Sequence, residues 1–201
     1  MMRWAQFLLV IGIAVATALA ADQPRFEAGV ARVEITPSKP LPMYGYGFRK
    51  CLASETHDPL FAKVLVLGAG GDRVAIVTLD IGMYYSARLR QRVADELKIP
   101  VLLLASSHTH AGPYFIRSRQ DSAELSPDQK EYLTELENKL FGTIQKAASS
   151  MFPARIGMGR GKIQIGYNRL VLRENGRARA NFQNPEHVAY GPVDPEFIVL
   201  K

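Results

Sequence analysis

The stretch RVAIVTLDIGM (Arg73–Met83), taken with VLLLASSHTHAGP (Val101–Pro113), decides the fold. Arg73–Leu79 is short, apolar and rich in β-branched residues, the composition of a strand. Ser86 is placed to cap a helix running to Leu97, with Leu89, Val93 and Leu97 spaced to share one face. Pro100 then introduces VLLLA, a continuous apolar run of the kind carried by buried parallel strands. Strand, helix and strand in that order form a βαβ unit, whose crossover brings both strand ends to one edge of the sheet. Asp80 follows one end; Ser106, Ser107, His108, Thr109 and His110 follow the other. Open α/β sheets bind their ligands beyond those ends. The topology therefore directs one carboxylate and two imidazoles towards a common crevice.

Upstream of this unit, Phe26–Ile35 alternates apolar and polar residues and reads as a strand, and Leu60–Leu67 reads as another. Gly68–Asp72 turns the latter into Arg73–Leu79, a hairpin. Between them, Pro37–Gly47 is a loop rich in Pro, Gly and Tyr. Downstream, Ser126-Pro127 opens a long helix whose stripe is Leu133, Leu136, Leu140, Ile144 and Ala147, ended by Phe152-Pro153. From Arg155 onward strands and turns are expected, with Glu174-Asn175-Gly176 the clearest hairpin turn. The expected class is α/β: a layered mixed or parallel sheet with flanking helices, cut short at its C-terminal end, where the apolar run Phe197–Leu200 has only Lys201 after it.

Composition narrows the function classes. The 201 residues are 47% hydrophobic and 22% charged, which is the balance of a globular domain. One cysteine, Cys51, excludes an internal disulfide and any Cys-pair metal knuckle. The net charge of +6 is modest and comes without the acidic or basic tails of a nucleic-acid partner, but with the basic last third (Arg155 to Arg179) it suits peripheral attraction to an anionic membrane surface. Met1–Ala20 carries Arg3, the apolar run Phe7–Ala18 and the small-x-small ending Ala18-Leu19-Ala20. This is the pattern of a secretory signal peptide, so residues 21–201 are expected to work outside the cytoplasm, secreted or periplasmic.

The chemistry concentrates at His108 and His110. Residues two apart on an extended segment point to one side, and imidazole is both the commonest metal ligand and the usual proton carrier near neutral pH. Two idle loop histidines would read the same way; the βαβ context favours a site. Asp80 is placed to orient an imidazole. His57 reads as part of a turn and His187 as a loop residue. The run GMGRGK (Gly157–Lys162) lacks the Ser or Thr and the following helix of a phosphate loop, and reads as a strand. No GxSxG elbow supports a serine hydrolase.

Seven pieces occur in order along the chain: GVARVEITP (Gly29–Pro37), MYGYG (Met43–Gly47), HDPLFAKVLVL (His57–Leu67), RVAIVTLDIGM, SSHTHAGP (Ser106–Pro113), YNR (Tyr167–Arg169) and NPE…VDPEFIVLK (Asn184–Lys201). Together they resemble the start of the neutral/alkaline non-lysosomal ceramidase family, and the resemblance spans most of residues 21–201. It implies the N-terminal portion of a secreted or membrane-associated zinc amidase that splits ceramide into sphingosine and a fatty acid. On the matching positions it implies His108 as the first Zn²⁺ ligand, His110 as a polar active-site residue and Arg169 as a substrate-holding arginine. The family's remaining ligands lie beyond residue 201, so the resemblance implies an incomplete site on this chain. Two departures stand out: Leu170 replaces the family's usual Ser after Asn-Arg, and Asp58 stands where a basic residue often follows the histidine. The first bears on Arg169 and the second points to a divergent bacterial branch, with a ceramide-like lipid or another amide as substrate. The competing expectation is an exported, non-enzymatic lipid- or glycan-binding module on the same fold. The oligomeric state is left open.

Overall fold

The computed structural model describes residues 26–49, 51–115 and 125–201. The expected signal peptide lies outside the described residues. The chain divides into two compact units, one ending at Ala154 and the other running from Arg155 to Lys201.

The first unit is built on a five-stranded sheet. Its strands are β1 (Glu27–Glu34), β2 (Phe61–Ala69), β3 (Asp72–Leu79), β4 (Val101–Ser106) and the two-residue β5 (Phe152–Pro153). Their order is β4-β3-β2-β1-β5. β3 and β4 are parallel, with Val74 opposite Val101 and Leu79 opposite Ser106. Every other pair is antiparallel, including the β2–β3 hairpin. The sheet is thus mixed, as expected, and the parallel pair is the one the βαβ reading requires.

Two helices cover one face. Helix α1 (Ala87–Leu97) starts where the Ser86 side chain accepts the Leu89 N–H, and it stops where Lys98 turns left-handed, φ 57°. Helix α2 (Pro127–Ser149) starts with a capping box, in which Ser126 and Gln129 satisfy each other's backbone N–H groups. Leu89 and Val93 from α1 and Leu136, Leu140, Ile144 and Ala147 from α2 are buried in one cluster with Val64, Val66, Ala75, Val77 and Leu102 of the sheet. Leu133, expected in that stripe, only borders the core; its neighbour Tyr132 is buried instead, and its hydroxyl donates to the Ile35 carbonyl at 2.6 Å.

β4 departs from expectation. A continuous apolar run predicts a strand buried on both faces, yet Val101 and Leu103 are 47% and 49% exposed while Leu102 is buried. The reason is position: β4 is the last strand of the order, and the helices pack on the Leu102 side only.

In the second unit, β6 (Met158–Lys162) pairs antiparallel with β9 (Glu196–Leu200), and β7 (Leu170–Leu172) with β8 (Ala178–Ala180). The GMGRGK run is therefore a strand, as read. The β7–β8 connection turns at Glu174-Asn175-Gly176, with Gly176 at φ 74°.

Candidate functional site

The parallel pair places the histidines. Beyond the last ladder residues the two segments stay together: Ser107 N–H donates to the Leu79 carbonyl at 2.9 Å, and His108 N–H to the Ile81 carbonyl at 3.1 Å. The chain must then turn, and it does so at His108 itself, φ 61°. A left-handed conformation at a residue other than Gly costs energy and marks a position held by its surroundings. What holds it is visible in the ring: His108 Nδ1 lies 3.1 Å from the Gly82 carbonyl oxygen. A carbonyl can only accept, so Nδ1 carries the proton in this bond, and in the neutral ring Nε2 keeps its lone pair. A backbone carbonyl on the second ring nitrogen is the usual way a metal-ligating histidine is oriented.

His108 and His110 share a cavity of about 580 Å³ with Tyr44, Tyr46, Arg49 and Tyr114. The two imidazoles lie 5.4 Å apart, centroid to centroid. Tyr44 meets both edge-on, at 5.2 Å from His108 and 5.6 Å from His110. Tyr46 meets His110 at 4.9 Å and 89°. Two glycines make this packing possible. A Cβ on Gly82 would lie 2.2 Å from the Tyr44 ring, and one on Gly45, itself at φ 76°, would lie 2.2 Å from His110 Cγ. The loop is laced to the histidine segment through Tyr44 N–H to the Gly112 carbonyl (2.9 Å), Tyr114 N–H to the Pro42 carbonyl (2.6 Å) and a bridge between Met43 and Pro113.

Asp80 is placed otherwise than the topology suggests. Its Oδ2 accepts the Phe61 N–H at 3.1 Å, and its own N–H donates to the Phe61 carbonyl at 3.0 Å. It lines a second cavity of about 690 Å³, with Leu41, Ser107, Thr109 and Pro113. The group that orients His108 is the Gly82 carbonyl, and Asp80 ties the start of β2 to the end of β3. Arg169 belongs to the second unit, where its Cζ lies 4.6 Å from the Phe182 ring centroid. His57 is exposed and pairs with its neighbour Asp58; His187 stacks on Tyr167 at 5.0 Å. Among the described residues no group of three or more His, Cys, Asp or Glu side chains converges as a metal site. Tyr44, Tyr46 and Arg49 were missed as site residues. The available signal was the Tyr-Gly-Tyr-Gly alternation at 44–47, where aromatic bodies are spaced by residues that allow close approach.

No family model matches the chain. A curated relative does, the neutral ceramidase of Pseudomonas aeruginosa, at 24% identity over 193 residues. The chain resembles neutral ceramidase. The likeness extends to fold: the crystal structure of the Pseudomonas aeruginosa neutral ceramidase superposes with a TM-score of 0.64 at 22% identity, covering 89% of this chain. A ceramidase complexed with C2 superposes at 0.59 and 20% identity over the same share. The chain spans 28% of the length of the curated ceramidase and 29% of each ceramidase structure. The mixed α/β fold is the one shared with these ceramidases.

Proposed function

We propose that this chain is part of an exported amide hydrolase of the ceramidase kind, in which His108 ligates Zn²⁺ and His110 faces the scissile amide of a ceramide-like lipid. The observation that carries the reading is the His108–Gly82 bond, which leaves Nε2 as a lone-pair donor on a shared cavity wall. The likeness in sequence to a neutral ceramidase supports the reaction class. When bound, Zn²⁺ supplies an activated water and a polarised carbonyl. A zinc site takes three or four protein ligands, and no group of that size occurs among the described residues. His108 therefore fits as one ligand, and the rest of the site needs donors from elsewhere.

The chain's own residues do the orienting. Gly82 fixes the His108 tautomer, Tyr44 holds both rings, and the 580 Å³ cavity gives a reacting amide a partly enclosed place to sit. In this reading His110, 5.4 Å from His108, takes or gives the proton that the leaving amine requires. Arg169 is the substrate-holding residue in this reading, and export follows from Met1–Ala20.

The test compares zinc content and ceramide hydrolysis in a longer, ceramidase-length polypeptide carrying these residues, wild type beside His108→Ala. Loss of about one equivalent of zinc together with activity supports the proposal; equal zinc in both ends it. A binding-only module is the second reading, favoured by the exposed arginines of the second unit, among them Arg173, Arg177 and Arg179. Liposome binding that survives both His108→Ala and a chelator, without hydrolysis, would select it.

A further inference from the structure

We propose that Arg49 is a positioning residue for His110, acting through the backbone of the histidine segment and through the Tyr46 ring. Its use in catalysis rests on the amidase reading above; the placement itself does not. Arg49 Nη1 donates to the His110 carbonyl at 2.8 Å and reaches the Tyr44 carbonyl at 3.4 Å. One guanidinium nitrogen thus joins two segments about sixty residues apart in the chain, at the residue whose imidazole faces the cavity. The planar cation also lies over Tyr46, Cζ to centroid 4.9 Å, and Tyr46 in turn meets the His110 imidazole edge-on at 4.9 Å. His110 is therefore gripped twice by one side chain, once through its carbonyl and once through an intervening ring.

The loop has a reason to need this. Gly45 and Tyr46 are consecutive residues with positive φ, 76° and 44°. The Tyr46 conformation is costly for a residue with a Cβ. The Arg49 N–H donates to the Tyr46 carbonyl at 2.7 Å and closes the turn, while the side chain folds back over the ring. Among the described residues Arg49 forms no ion pair with a carboxylate; carbonyls and a π face meet its charge instead. A fixed fork of donors with a flat face does both jobs at once, which lysine, a flexible point charge, cannot.

The experiment observes the His110 ring in the 201-residue chain itself, by proton–carbon NMR correlation of wild type, Arg49→Gln and Arg49→Lys. His57 and His187 serve as internal references. Tyr46 held edge-on to His110 shifts its ring protons, so Arg49→Gln is expected to move or broaden the His110 signals while both references stay in place. Arg49→Lys keeps a donor for the His110 carbonyl but loses the flat stack, and is expected to give an intermediate shift. His110 signals unchanged in both variants would overturn the proposal. Should Arg49→Gln fail to fold, the lysine variant decides alone: a shifted His110 supports positioning and an unmoved one refutes it. None of these readouts involves zinc or activity, so the outcome is separable from that of the ceramidase reading.

Discussion

His108 illustrates how much chemistry one backbone angle can carry. Had the residue stayed extended, its ring would have followed the alternation of β4; the turn at φ 61° instead brings Nδ1 to the Gly82 carbonyl. The neighbouring glycines are equally constrained, because rings occupy the space their side chains would need. Gly82→Ala would put a methyl 2.2 Å from the Tyr44 ring, and Gly45→Ala would add strain at φ 76°. Each is expected to cost about 1–3 kcal/mol in urea unfolding, the usual penalty for overpacking, and to perturb the His110 resonances. A variant as stable as wild type with unchanged His110 signals would show that the aromatic packing is loose. At this scale the sequence was legible where a pattern existed: HxH after a parallel strand led to two imidazoles that line one cavity. Asp80 was misread because topology fixes which end of a strand a residue follows, not which partner its carboxylate finds; the Phe61 N–H at the mouth of β2 was nearer. Tyr44, Tyr46 and Arg49 were missed because their roles depend on contacts with a segment about sixty residues away.

The elements were more legible, since caps and periodicity are local. Ser86, Ser126 and Pro127 start the helices where expected, and the Gly68–Asp72 turn makes the hairpin. Replacing Ser126 with Ala should cost about 1 kcal/mol, because the reciprocal bonds with Gln129 are lost; thermal unfolding of the single variant measures it. The joint between helices and sheet sets an alkaline limit. Burial pushes the Tyr84 hydroxyl up from its usual 10 to about 12 and pushes that of Tyr132 well above 10. In the unfolded chain both ionise near 10, so their contribution is whole below pH 10 and is lost as pH rises towards the folded values. Each tyrosine then removes about 1.4 kcal/mol per pH unit in that window. Denaturation midpoints from pH 9 to 12 should fall steeply above 10, and Tyr132→Phe should flatten the slope. A slope equal in wild type and variant would remove Tyr132 from the account.

At the scale of the sheet, one cross-strand row on the face opposite the helices is apolar, beside a row that holds Arg32 and Lys63. Val30, Leu65, Ile76 and Leu103 stand side by side across four strands, with Val30 58% and Leu103 49% exposed. Parallel pairs normally belong to sheets covered on both faces, and apolar patches of this kind bind dyes or neighbours. Purified chain is expected to bind an apolar fluorescent dye, and Leu103→Lys with Val30→Lys to reduce that binding severalfold. Undiminished binding would move the patch elsewhere. The run VLLLA misled because an apolar strand reads alike whether it is central or last in order; only the pairing reveals that β4 has one neighbour among the described residues. The proposed metal site stands on the His108 nitrogen that Gly82 leaves free, and one spectrum addresses it. Long-range proton–nitrogen NMR correlation of the neutral imidazoles at pH 9 should show His108 protonated at Nδ1, with Nε2 bare. A proton found on Nε2 would deny the proposed Zn²⁺ its ligand and contradict the site described.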